Sequence, residues 1–126
     1  METEAIGWPE RTARERKDPS RPVDLVHLSR YTLGERALER EVLELFCTQS
    51  DIYLERLREA PSDRQWKDAA HSLKGSAQAI GAWRTAEAAE RAESLSDAPL
   101  GEARSARLRE LESSVHEAKA YIRSLL

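Results

Sequence analysis

The sequence predicts an all-α protein, an antiparallel up-down four-helix bundle with one short extra helix at its N-terminal end. Three observations carry this reading. Apolar residues recur at three- and four-residue spacing through four substantial stretches, the pattern of a helix with one buried face. The breaks between those stretches are short and are marked by Pro61, Gly81 and Pro99, and short connections make consecutive helices antiparallel neighbours. No stretch alternates apolar and polar residues as a half-buried strand does, and no repeat or low-complexity run interrupts the helical pattern.

Size and composition agree. A chain of 126 residues reads as one domain and buries roughly two thirds of its unfolded surface, enough for one core. Charged residues make up 34% and apolar residues 40%, a balance that suits a soluble helical protein and not a disordered one. The formal net charge is −3, with acidic and basic residues interleaved, so nothing points to a nucleic-acid partner. Cys47 is the single cysteine, which rules out an internal disulfide and fits a reducing compartment. No apolar run approaches the ~20 residues that cross a bilayer, and the start METEAIGWPERTARERK lacks the apolar core of a signal peptide. The expectation is a cytoplasmic monomer with no membrane attachment.

Taken in order, residues 1–22 are polar and carry Pro9, Pro19 and Pro22; they read as a flexible tail, with Trp8 the one residue there able to dock. Residues 23–126 form the bundle domain. Asp24 can cap a short helix over 24–30, with Leu25, Val26 and Leu28 as its apolar side and His27 as a surface histidine. Residues 31–34 break the pattern. A long helix over 35 to about 59 follows, its inward stripe being Leu38, Val42, Leu45, Phe46, Gln49, Ile52, Tyr53 and Leu57. A second apolar set, Leu43, Cys47 and Leu54, is displaced from the first by roughly 100°. One face of a bundle helix does not need it. Either the short first helix covers these three residues, or they form a docking surface for a partner, and they are candidate binding residues on that ground.

Pro61 ends the long helix, and Ser62 or Asp63 caps the next. At ~100° per residue, Trp66, Ala69, Ala70, Leu73, Ala77 and Ile80 gather on one side of a helix over 63–80. His71, Lys74, Gly75 and Gln78 gather on the other, so His71 points away from the core its own helix builds. A helix interior disfavours glycine by ~1 kcal/mol relative to alanine. Gly75, one turn from His71 on the exposed face, therefore implies that something comes close there. Arg64, Lys67 and Asp68 extend the same face. Gly81 stops this helix. The next, over about 84–95, turns Ala86, Ala89, Ala92 and Leu95 inward, small residues that let neighbouring helices approach closely. Residues 96–101, with Pro99, form a turn. The last helix, about 102–125, spaces Leu108, Leu111, Val115, Ala118, Ile122 and Leu125 as the seam of a bundle helix, with His116 solvated beside it.

The run His71-Ser72-Leu73-Lys74-Gly75-Ser76-Ala77, followed by Gly81-Ala82, resembles the signature of histidine-containing phosphotransfer (HPt) domains: a phosphorylatable histidine, an apolar residue two positions on, Lys-Gly, a small residue, and Gly-Ala closing the helix. The full pattern is present over 70–82. The resemblance extends more weakly, as helix pattern, over 24–126, and residues 1–22 have no counterpart. The dimerising histidine-kinase box is a poorer match, since an acidic residue follows the histidine there and Ser72 follows His71 here. The resemblance implies the same four-helix architecture and a two-component phosphorelay function, in which His71 accepts a phosphoryl group from the aspartate of a response-regulator receiver domain and passes it to another. Partners would be receiver domains or a hybrid histidine kinase.

The residues fit that chemistry. A carrier histidine must be exposed, because its donor is another protein. A fixed positive charge nearby stabilises the phosphoryl oxygens, and Lys74, one turn away, supplies it. Gln78 is a further hydrogen-bond donor, and Gly75 leaves room for an incoming loop. Ser72 and Ser76 lack a base-and-orienter pair and read as small edge residues. No Gly-rich phosphate loop or Walker pattern is present, so the expectation is a phosphocarrier and not a kinase. Nor is there an acidic cluster for Mg²⁺, although phosphoryl transfer usually uses a metal. The resemblance implies that the receiver brings both the phospho-aspartate and its Mg²⁺, with no cofactor on this chain. His27, His71, His116 and Cys47 show no zinc-ligand spacing. Two alternatives stand beside the carrier. One is a helical interaction module that binds a kinase or receiver without carrying phosphate. The other is the phosphoacceptor module of a chemotaxis-type kinase, against which no ATPase domain follows Leu126.

Overall fold

Caps set the helix boundaries. In the computed structural model, which describes residues 21–95 and 101–126, five helices form: α1 (Leu25–Thr32), α2 (Arg36–Arg58), α3 (Asp63–Ile80), α4 (Trp83–Glu93) and α5 (Gly101–Leu125). No strand occurs among the described residues. The Ser62 side chain accepts from the Gln65 amide and opens α3, satisfying one of the donors that a helix start leaves free. Gly81, with φ +74°, closes it in the left-handed region; the Gly81 amide donates to the Gln78 carbonyl and the Ala82 amide to the Ala77 carbonyl, which uses carbonyls that the helix end would otherwise orphan. The tail expected over 1–22, including Trp8, falls outside the described residues up to residue 20, as does most of the turn expected over 96–101.

Helix α2 packs on α3 and α5, and α4 packs on the same two, so the four long helices form a closed ring; α1 lies against α2 and α3. The centre holds Phe46 and Leu57 of α2, Trp66 and Leu73 of α3, and Leu111 and Ile122 of α5, all buried. Where α3 meets α4 the residues are small. Ala69, Ala70 and Ala77 on one side and Ala86, Ala89 and Ala92 on the other are all buried, which lets the two backbones approach closely. The indole Nε1 of Trp66 donates to the Ala92 carbonyl at 2.7 Å and ties the far end of α4 to the start of α3.

The inward face of α2 differs from the expectation. Leu43, Phe46, Ser50, Leu54 and Leu57 are buried, whereas Leu38, Leu45 and Ile52 are among the exposed large apolar residues, and Val42, Gln49 and Tyr53 are only partly covered. The physical reason is that α2 must pack against two helices at once. Lys119 to Asp51 and Arg58 to Glu112 tie one flank of α2 to α5, while Arg56 and Glu59 on the other flank line a groove with α3. The buried arc is what lies between those flanks. Ser50 makes this arc look polar in sequence, yet it is fully buried, its hydroxyl donating to the Cys47 carbonyl.

Smaller differences are local. Helix α1 runs two residues past Arg30, and α4 starts at Trp83. Leu108 and Leu95 are half-buried, and Leu125 is exposed at the end of α5. His27 is not a free surface histidine. It is half-buried, its ring meeting those of Tyr31 and Trp83 edge-on at 5.1 and 4.8 Å, and its Nε2 lies 2.9 Å from the Gln78 carbonyl.

Candidate functional site

The amphipathic pattern of α3 settles where His71 points. With Trp66, Ala70, Leu73 and Ala77 buried, the opposite face must meet solvent, and the His71 side chain is 68% exposed. Gly75 and Gln78 are exposed on the same face, as are Arg64 and Asp68 toward the start of the helix; Lys67 is partly covered. A Cβ on Gly75 would meet nothing within 4 Å, so the backbone of α3 lies open one turn from the imidazole. His116 is exposed on α5.

Lys74 does not stand free in solvent as the helical wheel alone implied. Its Nζ lies 2.9 Å from Oε1 of Glu93, at the last turn of α4. The other oxygen of the same carboxylate, Oε2, lies 2.9 Å from Nδ1 of His71. Glu93 thus bridges the two residues that the Lys-Gly motif places on α3. Burial pushes its carboxyl up, but the hydrogen bonds from Lys74 and His71, with their charges, outweigh burial and hold it below the ordinary carboxylate value.

Sequence reasoning missed Glu93. A signal existed: α3 and α4 are antiparallel about the Gly81–Ala82 turn, and His71 and Glu93 stand at nearly equal distances on either side of it. The antiparallel pairing brings them level, and the alanine interface brings them close. Read alone, Glu93 is one more charge on a solvated face.

The docking residues are corrected. Leu43 and Leu54, candidates either for cover by the short first helix or for a docking surface, are 3% and 5% exposed. Cys47 is half-buried at the edge of the core, where burial pushes its thiol up against the opposing pull of Lys119 and Arg123. The short first helix does not cover this set alone. Leu43 lies near Leu25 of α1 and the end of α5, and the core beneath Leu54 is shared with α3 and α5. Leu43 and Leu54 are core residues and Cys47 is partly covered. The exposed apolar residues of α2 are instead Leu38, Leu45 and Ile52, at heptad spacing, and Arg56 follows one turn after Ile52. Arg56 borders the groove whose far wall carries Gln65, Asp68 and Ser72 of α3, so this stripe lies along the side of α2 that adjoins the His71 helix.

Chemically, the site offers an exposed imidazole nucleophile, an ammonium one turn away, a carboxylate on the ring, and an open backbone beside them. Among the described residues no group of three or more His, Cys, Asp or Glu could hold a metal ion, and no helix is long and apolar enough to cross a membrane. Comparison with curated proteins and with solved structures gives no match. The family model of the Hpt domain matches residues 41–122, a span that takes in α3, α4 and the His71 face and covers well over half of the chain. The chain belongs to the Hpt domain family, the phosphocarrier modules through which two-component phosphorelays pass a phosphoryl group by way of histidine.

Proposed function

We propose that this chain is a phosphorelay carrier that accepts a phosphoryl group on His71 from the aspartate of a receiver domain and passes it to another receiver. The observation that carries this is the imidazole standing open to solvent on the face of α3, with Lys74 one turn away and bare backbone at Gly75. Exposure lets a second protein reach the ring, Lys74 stabilises charge on the phosphoryl oxygens, and Gln78 and Lys67 can add hydrogen bonds or charge at its edge. Magnesium belongs to the receiver, and this chain works without a cofactor, as a cytoplasmic monomer.

The receiver, free or part of a hybrid histidine kinase, docks over His71 and Gly75 and rests on the Leu38–Leu45–Ile52 stripe. Arg64 and Arg56 lie at the margin of that surface. An apolar stripe with a charged border is the composition of a transient interface.

The test is incubation with a phosphorylated receiver. Wild type should acquire an acid-labile, base-stable label, His71→Gln should fold normally and acquire none, and His27→Gln and His116→Gln should label as wild type does. Loss of label in either control and not in His71→Gln would place the phosphoryl group elsewhere. A wild-type chain that binds the receiver but takes no label would make it an interaction module.

A further inference from the structure

We propose that the N-terminal segment of this chain, from Ile6 to Lys17, seats on the Leu38–Leu45–Ile52 stripe of α2 and competes there with the incoming receiver. The inference rests on the carrier reading above and adds to it a control over access to the His71 face.

The stripe has two unlike edges. At ~100° per residue, Leu38, Leu45 and Ile52 fall within one narrow arc of α2, and all three are exposed. The edge toward α3 ends at Arg56. The other edge, turned furthest from the buried arc, carries Glu41, Glu55 and Glu59, all exposed. Negative charge is crowded at its far end, where the hydrogen bond with Glu55 and the charge of that neighbour hold Glu59 above the ordinary carboxylate value. An occupant of this face needs large apolar side chains for the stripe and basic ones for its acidic edge. The N-terminal segment has that composition. Ile6 and Trp8 come first, and Arg11, Arg14, Arg16 and Lys17 follow with Glu15 among them. Residues two apart in an extended chain share a side, so Ile6 and Trp8 can face the stripe together. Tryptophan and arginine are also the side chains that most often carry the binding energy of an interface.

The point where the segment joins the fold puts the stripe within reach. Val23 is fully buried, and the Asp24 amide is bonded to the Gly81 carbonyl, which fixes that junction. Leu25 shares a cleft with Arg36, Glu39, Arg40 and Leu43, so the junction stands beside the first half of α2. At 1.5 Å rise per residue, the stripe from Leu38 to Ile52 is about 21 Å long. Trp8 lies twelve residues before Ser20, and an extended chain of that length reaches about 40 Å. Trp8 can therefore meet Leu45 or Ile52 with the basic residues lying between it and the junction, alongside the acidic edge. The contact is intramolecular, and a short tether gives an effective concentration on the order of millimolar. A receiver arriving from solution has to displace the segment before it can rest on the stripe. The segment acts on docking alone and takes no part in the chemistry at His71.

The experiment uses the full chain, ¹⁵N-labelled, as wild type, Trp8→Ala and the double variant Arg14→Glu/Lys17→Glu. Amide spectra without receiver read whether the segment sits on α2. A phosphorylated receiver reads KM and kcat for transfer, and phosphoramidate, a small phosphodonor that needs no docking surface, reads the reactivity of His71 by itself. Both variants should shift the amide signals of Leu38, Leu45 and Ile52 at every protein concentration. Both should lower KM for the receiver severalfold with kcat unchanged, and both should take label from phosphoramidate as wild type does. Added salt screens exposed charges, so it should move the wild-type signals toward those of the variants. Unchanged α2 signals and unchanged KM in both variants overturn the proposal. So does a KM that rises, which would make the segment part of the receiver's seat. Signals that move with protein concentration overturn it too, since a second copy would then occupy the stripe. If the variants shift the α2 signals while no receiver labels any form that phosphoramidate labels, the carrier reading fails and the seat of the segment on α2 stands.

Discussion

A Cβ placed on Gly81 would stand 2.6 Å from the Cβ of Asp24. The two residues join α1 to the turn between α3 and α4. The Asp24 amide donates to the Gly81 carbonyl at 2.9 Å. The Asp24 carboxylate caps α1 through the His27 amide and accepts from Trp83 Nε1 at 3.1 Å. Gly81→Ala adds left-handed strain at φ +74° to that collision, and each such strained position costs about 1–3 kcal/mol. We expect denaturant unfolding to show a loss of at least ~1 kcal/mol, with a change in Trp83 fluorescence as α1 lifts. Unchanged stability would mean that α1 is not held by this contact.

Gly75 should behave oppositely. It has a helical backbone and open space where a Cβ would go, so Gly75→Ala should raise stability by up to ~1 kcal/mol. Transfer needs the reacting groups within roughly 3–3.5 Å, which brings the receiver almost onto the α3 backbone. Gly75→Gln should therefore slow transfer strongly while melting no lower than wild type. Melting temperature and transfer rate measured on both variants check this, and wild-type rates in both would show that close approach at Gly75 is not needed.

The exchange of faces on α2 separates fold from docking. Leu54 is buried, and an unpaired carboxylate there has no partner, so Leu54→Asp should destabilise by more than ~3 kcal/mol or prevent folding. Ile52 is 45% exposed; Ile52→Asp should change stability by less than ~1 kcal/mol and weaken receiver binding severalfold. Calorimetry and a binding titration distinguish the two. Unaltered receiver affinity in both Ile52→Asp and Leu45→Asp would remove the stripe from the docking surface.

His27 gives the fold a pH dependence. Burial lowers its pKa below the ordinary value, against the opposing pull of the Gln78 carbonyl and Asp24. The unfolded chain then takes up a proton near pH 6.5 that the folded chain does not yet bind, so stability falls as pH drops below about 6.5 and stops falling once the folded form also protonates. Glu93, with its folded value held low, loses its contribution only at more acid pH, below the ordinary carboxylate range. Unfolding free energies at pH 7.5 and 5.5 should differ less in His27→Gln than in wild type. Equal slopes would show that His27 is not sequestered.

Much of this protein was legible in the one-dimensional pattern. Helical spacing, the Pro61 break and the Gly81 stop located the four bundle helices to within a residue or two, because caps and breakers act on neighbouring residues. The exposure of His71 and Gly75 was legible too: α3 has a single apolar stripe, and burying it leaves one direction for the imidazole. What the sequence by itself could not decide was anything that depends on two helices at once. Helix α2 carries two apolar stripes, and only packing between α3 and α5 selected Leu43 and Leu54 for the core over Leu45 and Ile52. His27 reads as a surface residue until α1 folds onto the end of α3 and places it against Trp83. Glu93 reads as one charge among many until the antiparallel pairing of α3 and α4, drawn close by alanines, sets it between His71 and Lys74. Local periodicity fixes which way a side chain leaves its own helix; what it meets there is fixed by the neighbour that the core brings alongside.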